Sequence, residues 1–231
     1  MTDEMRTQLV AAAVRLLTEG GPEALRARRL ATEVSASTMA VYTHFGGMAR
    51  LLDAVAEEGF RRMSAALASA PSTDDAVANL LLLAYAYRNT ANVNPNLYAL
   101  TFGQVAVGGH RAAIRNLTDP EPRTEPDEGA RAFGYLLDAA AAAIYSGRFS
   151  PVEPRSAAAQ LWSGLHGYVT LEMSGAFGPA GQGLVHIFGP LARTLAIGLG
   201  DTPEAAAESL RITNEAWETR PTASRPATKA G

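Results

Sequence analysis

The polar side chains best placed to recognise another molecule lie close together between residues 37 and 47. Ser37, Thr38, Tyr42, Thr43 and His44 fall within one short apolar-periodic stretch, STMAVYTHF, that ends at Gly46-Gly47. A helix built from it is too polar for a core, because only a narrow stripe around Val41 can be buried. Hydroxyls on such a helix meet phosphate oxygens and base edges in a DNA major groove. Thr38 and Met39 are the best placed for a base edge or a thymine methyl. Around them stand the arginines Arg26, Arg28, Arg29 and Arg50. Residues 1–62 carry eight basic and eight acidic side chains, so any basic patch must come from geometry and not from net charge.

The elements that position these groups are helical. Leu9, Ala13, Leu16 and Leu17 share one face of a first helix, which Gly20-Gly21-Pro22 stops. Leu25 to Val34 fits a second helix, and Ser37 to His44 a third with Ser35 or Ser37 as N-cap. Ala31 is small enough for the crossing, and Leu30, Val34 and Val41 point inward. This is a helix-turn-helix pattern. A long helix follows, from about Met48 to Leu67.

Further helices are expected from a Thr73-Asp74 cap to Ala91, from Asn94-Pro95 through Tyr98 and Phe102, and over Asp127–Tyr145, Pro154–Ser174 and Gly183–Leu199. The last should kink at Pro190. A short helix starts at Thr202-Pro203 and ends near Trp217. Residues 118–127 form a proline-rich loop, and the tail from Pro221 is expected to be disordered.

Composition narrows the function classes. The 231 residues include 47% hydrophobic and 19% charged side chains, which excludes global disorder. No window of 18 apolar residues suggests a membrane span, and the acidic start MTDEMRTQLV has no apolar signal core. Cysteine is absent, which removes disulfides, thiolate nucleophiles and cysteine zinc sites. Histidines 44, 110, 166 and 186 lack HxxxH spacing, so no metal is expected. There is no GxSxG, phosphate loop, dinucleotide fingerprint or HExxH, and neither catalytic residues nor a cofactor are expected.

The order helix, turn-helix, Tyr42-x-His44-Phe45, long helix resembles the TetR family of transcriptional regulators. The matching residues are Gly21-Pro22-Glu23-Ala24-Leu25, Arg28, Leu30-Ala31, Glu33-Val34, Ser37, Val41-Tyr42, His44-Phe45 and Leu51-Leu52. The resemblance implies an all-α fold, with a helix-turn-helix domain over residues 1–47 and a ligand-binding, dimerising bundle over 48–200. Residues 201–231 then form a short helix and tail. It implies a cytoplasmic homodimer, a palindromic double-stranded DNA operator and a small-molecule effector that releases a repressor. DNA contacts then fall to Arg26, Arg28, Ser37, Thr38, Met39, Tyr42, Thr43, His44, Gly47 and Arg50. Where the family usually has Gly in the turn, this chain has Ser35, and where it often has a phosphate-binding Lys, this chain has Met48.

In the second half, Trp162-Ser163-Gly164-Leu165-His166-Gly167 and Pro95-Asn96-Leu97-Tyr98 resemble a subgroup with a Trp-x-x-x-His-Gly element. Phe60, Met63, Tyr98, Phe102, Trp162 and His166 are candidate ligand contacts, with ordinary core packing as the competing reading. Gly164, Gly167 and Leu171 on one helix, with Leu184, Phe188, Leu191 and Leu195 on the next, are candidates for a four-helix dimer seam. Two other function classes remain open at this point. One is a helical adaptor whose reading head no longer binds DNA. The other is a small helical enzyme whose site assembles only in three dimensions.

Overall fold

A computed structural model describes residues 2–112, 127–178 and 181–220. The expected loop at 118–127 falls outside the described residues except for Asp127, and the tail from Pro221 falls outside them entirely. The described chain forms ten α-helices: α1 (Thr2–Gly20), α2 (Ala27–Glu33), α3 (Met39–Phe45), α4 (Met48–Ala68), α5 (Ala76–Val93), α6 (Pro95–Thr101), α7 (Glu128–Tyr145), α8 (Pro154–Met173), α9 (Gly189–Gly198) and α10 (Pro203–Thr219). A single 3-10 turn, Pro22–Ala24, follows α1.

Compactness divides the described residues into two units. The first holds α1 to the Met63 end of α4, together with residues 94–112 and 127–129. The second holds 64–93, 130–178 and 181–220. The division falls inside α4, between Met63 and Ser64, and α6 is counted with the first unit although it follows α5 in sequence.

In the first unit the predicted face of α1 is the core: Leu9, Leu16 and Leu17 are closed to solvent, with Leu30, Val41, Leu51 and Val55 around them. Each such leucine is worth roughly 2–5 kcal/mol against alanine. α6 adds Leu97 and Leu100 to this cluster. Its entry is fixed by two asparagines. Asn94 Oδ1 accepts the Leu97 amide at 3.1 Å and so caps α6, while Asn96 Nδ2 donates to the Leu17 carbonyl at 3.1 Å. Gly59 on α4 makes room for α6, since a Cβ there would lie 1.9 Å from Thr101 Oγ1.

The second unit packs small residues of α7 and α8, Ala140, Ala143, Ala157 and Ala158, against Val77 and Leu80 of α5 and Ala206 of α10. Its N-caps differ in part from expectation. α5 is capped by Asp75, whose Oδ1 accepts the Ala78 amide at 2.7 Å, and not by Asp74. Thr73 instead holds the Asn79 side chain. Thr202 caps α10 as its sequence suggested. α10 is 17 residues long, not a short appendage. It packs on α5 through Thr213 Oγ1 to the Ala78 carbonyl, Tyr85 Oη to Asn214 Oδ1 at 2.8 Å, and an edge-to-face contact of Tyr85 with Trp217.

The expected kink at Pro190 is a π-helical turn, Leu184–Phe188, with the Gly189 amide bonded back to Leu184 O. Proline lacks the amide that would continue the α pattern. The wider turn is taken up just before it, and Pro190 then sits in the first turn of α9.

The second unit is joined by a charged staple. Arg148 Nη1 donates to Asp75 Oδ2 at 2.8 Å, and its Nε and Nη2 reach Asp201 at 2.9 and 2.8 Å. Ser209 donates to Asp75 as well. Burial alone would raise the Asp75 carboxyl, but the Ala78 amide, Arg148 and Ser209 outweigh it and hold it below the usual aspartate range.

Candidate nucleic-acid interface and ligand-contacting residues

The turn between α2 and α3 is built by backbone hydrogen bonds. Ser35 N donates to Thr32 O, and Ala36 N to Ala31 O at 2.9 Å. With Ser35 at φ +52°, this is a Schellman motif whose left-handed position holds serine. Neither Ser35 nor Ser37 caps α3. Thr38 occupies that place with helical dihedrals and makes no side-chain cap bond, so the hydroxyls of Ser37 and Thr38 are not used in holding the helix. α3 ends where Gly46 adopts φ +73° and its amide returns to Tyr42 O at 2.8 Å.

Val41 and Phe45 anchor α3, while Ser37, Thr38, Met39, Tyr42 and Thr43 are exposed. His44 and Gly47 are half-buried. Of the arginines, Arg28, Arg29 and Arg50 are exposed. Arg26 is exposed as well but makes a long, solvent-screened pair with Glu23 at 3.6 Å. The Arg50 guanidinium lies back over the α3–α4 turn, 3.7 Å from where a Gly46 Cβ would be. All ten residues picked for DNA stand in the first unit, Arg26 and Arg28 at the start of α2 and the other eight from Ser37 to Arg50 on α3 and around its two ends. One positioning residue left no trace in the sequence pattern. Arg6 of α1 donates to the His44 carbonyl at 3.0 Å and stacks 4.3 Å from the Phe45 ring centre, so it ties the end of α3 to α1.

The candidate ligand contacts separate into two groups. In the first unit Phe102 packs at a tilt against Tyr98 at 4.7 Å and meets Phe60 edge-on at 5.2 Å, and Met63 is buried. In the second unit Trp162 and His166 face each other at 5.2 Å, and His166 Nδ1 shares a hydrogen bond with the Tyr87 hydroxyl at 2.9 Å. Burial pushes the His166 imidazole below its usual range, toward the neutral form. Close by in chain, Glu172 takes two hydrogen bonds of 2.7 Å from Arg88 and one from Tyr168. These hold its carboxyl below the usual range although burial opposes them. The second unit also contains an almost wholly apolar cleft, lined by Leu80 and Leu81 of α5, Leu165 of α8, Phe188, and Leu191 and Leu195 of α9.

The seven residues proposed for a dimer seam differ in exposure. Phe188 is buried against Tyr85 and Tyr168 of its own chain, because the π turn rotates it inward. Leu195 Cδ1 sits 2.6 Å from where a Gly164 Cβ would be. That glycine thus serves α8–α9 packing within the chain, and Leu191 and Leu195 line the cleft. Gly167 and Leu171 are exposed, and Leu184 is half-buried. Val185, Ile187 and Ile197, none of them among the seven, are exposed as well.

Among the described residues no three His, Asp or Glu side chains gather as metal ligands, and no helix is long and apolar enough to cross a membrane.

With this geometry in view, similarity to known proteins is specific. Residues 9–55 match the bacterial regulatory proteins of the tetR family, and residues 80–195 match the tetracyclin repressor-like C-terminal domain. No curated protein matches the chain. Among solved structures, a Rhodococcus sp. RHA1 protein of unknown function is 27% identical, with a TM-score of 0.65 over 85% of this chain and 96% of that one. RolR in complex with resorcinol shares the fold at 17% identity, with a TM-score of 0.59 over 95% of each chain. The fatty acid degradation regulator FadR from Bacillus halodurans shares it at 16% identity, with a TM-score of 0.56 over 84% of this chain and 98% of that one. A helix-turn-helix head with an open α3 face, followed by a helical domain of the matching kind, makes this chain a member of the TetR family: a ligand-responsive, DNA-binding transcription regulator.

Proposed function

We propose that the protein is a repressor that binds a palindromic operator as a homodimer in the cytoplasm and leaves it when a small, largely apolar effector binds its C-terminal domain. It carries out no reaction of its own. The observation that carries this reading is the exposed α3 face: five side chains of one short segment point outward while Val41 and Phe45 hold the helix down. Two such helices about 34 Å apart read successive major grooves. Tyr42, His44 and the amides at Gly47 and Met48 meet phosphates, Arg28 and Arg50 reach the backbone or a base edge, and Ser37, Thr38, Met39 and Thr43 face the bases.

For the effector, the support is chemical. The cleft among Leu81, Leu165, Phe188 and Leu191 offers hydrocarbon, and Trp162, His166 and Tyr87 offer a ring face and a neutral hydrogen-bonding pair. Phe60, Tyr98 and Phe102 form a second aromatic cluster, in which Tyr98 and Phe102 are buried. RolR's resorcinol makes small phenols the first effectors to try. α4 holds residues of both compact units, which favours it as the carrier of the signal. A tenfold loss of operator affinity needs about 1.4 kcal/mol of coupling. For the dimer, Gly167, Leu171, Ile187 and Ile197 are the exposed candidates on α8, the π turn and α9.

The test is a mobility shift on the DNA upstream of its own gene. Sequence-preferring binding that weakens steeply with salt supports the reading. Binding that ignores sequence, or none at moderate salt, refutes it.

A further inference from the structure

Met39 is 64% exposed and Tyr42 is 55% exposed, and they are the only large hydrophobic side chains of the first unit that stand this open among the described residues. They are three residues apart on α3, so they share a face. Thr43, four residues from Met39, joins the same face and is exposed too. The exposure is fixed by the fold. Val41 is fully buried and Phe45 nearly so, and Arg6 holds the His44 carbonyl, so α3 cannot roll Met39 under cover.

What this face lacks is equally informative. Residues 35–47, SASTMAVYTHFGG, contain no Arg, Lys, Asn, Gln, Asp or Glu. Those are the side chains that hydrogen-bond in pairs to guanine and adenine or accept from cytosine. The reading helix therefore offers a thioether, a phenol ring, short hydroxyls and, near its C-terminal end, the half-buried imidazole of His44. The one base feature in the major groove that an apolar side chain can select is the C5-methyl group of thymine. A methionine, unbranched and polarisable, shapes itself to a methyl group better than a stiff side chain does.

Building on the DNA-binding reading above, we propose that Met39 is the specificity-determining residue of α3 and that it selects thymine in each half-site by packing on its C5-methyl group. Purine contacts then fall to residues outside α3, with Arg50 on α4 the nearest exposed guanidinium in sequence and Arg29 and Arg28 on α2 the next. Thr38 and Tyr42 flank the contact and exclude water from it.

The experiment first selects operators from random duplex DNA with the full-length protein. Each thymine of the selected site is then replaced by deoxyuridine, which removes only the C5-methyl group. One thymine per half-site should lose about four-fold in affinity, the worth of one methyl removed from water, and the symmetric double replacement about sixteen-fold. Met39→Ala should bind thymine and uracil operators equally, and Met39→Leu should keep the preference. Because Met39 is exposed, both variants should match the parent in thermal unfolding.

A defined operator in which every uracil costs less than about two-fold overturns the proposal while leaving the DNA-binding reading intact. So does a penalty that persists in Met39→Ala. Selection that enriches no motif overturns the DNA-binding reading and this proposal with it.

Discussion

Replacing Arg148 with methionine keeps the alkyl stem and removes the charge between Asp75 and Asp201. The side chains involved are well covered: 22% exposed for Arg148, 15% for Asp75 and 2% for Asp201. Breaking a buried ion pair by removing one partner costs about 3–5 kcal/mol, since the partner charge is left behind. The partial exposure of Arg148 argues for the lower end, about 3 kcal/mol, or roughly 6–12 °C in Tm for a chain of this size. The pH dependence has a definite sign. Asp75 has a lowered pKa in the fold, so its contribution is present above its unfolded pKa near 4 and fades as the pH falls through the folded value. Without Arg148, burial is opposed only by the Ala78 amide and Ser209, and the carboxyl takes up a proton more readily. The gap between parent and variant should therefore be widest near neutrality and narrow in acid. Urea unfolding at fixed protein concentration, followed by the fluorescence of Trp162 and Trp217, measures this in the unit concerned. A loss below about 1 kcal/mol at pH 7, or a gap that widens in acid, would refute the reasoning.

Four more outcomes are expected. Ser35→Gly relieves a left-handed serine and should stabilise the protein by about 1 kcal/mol in thermal unfolding, with no change in operator affinity. Gly59→Ala places a methyl on Thr101 Oγ1 and should cost about 1–3 kcal/mol in the same measurement; an unchanged Tm would mean that α6 is not seated on α4 as described. Tyr42→Phe removes an exposed hydroxyl, so stability should hold while operator affinity drops about ten-fold, the value of a hydrogen bond to a charged phosphate. Leu171→Asp buries a charge at the expected seam and should leave a monomer at micromolar concentration by sedimentation; a dimer that survives it moves the seam elsewhere.

The reading head was legible because its signals are local. Gly20-Gly21-Pro22 and Gly46-Gly47 end helices by their own backbone chemistry, and the alternation of Leu30, Ala31, Val34, Val41 and Phe45 with hydroxyl residues assigns each side chain a face without reference to the rest of the chain. The start of α3 departs from the Ser35 or Ser37 cap expected from the sequence for an equally local reason. Ser35 was needed at the left-handed position of the Schellman turn, so it had no freedom to cap.

The second half was less legible. Its apolar stripes at helical spacing are satisfied equally well by a neighbouring helix of the same chain or by a partner, and sequence periodicity does not distinguish them. Gly164 and Phe188 belonged to the first case.

What the amino-acid sequence determined on its own is the all-α class, the helix-turn-helix and the family, because these rest on turn residues and on a repeat of 3.6 that each segment carries within itself. Only the tertiary structure decided that Arg148 joins Asp75 to Asp201, that Arg6 pins α3, that α6 packs with α1, and that a π turn directs Phe188 inward. Each of these joins side chains far apart in the chain or turns on a helix register. Such pairings are chosen by which surfaces fit together once every helix has formed, and no single segment holds that information.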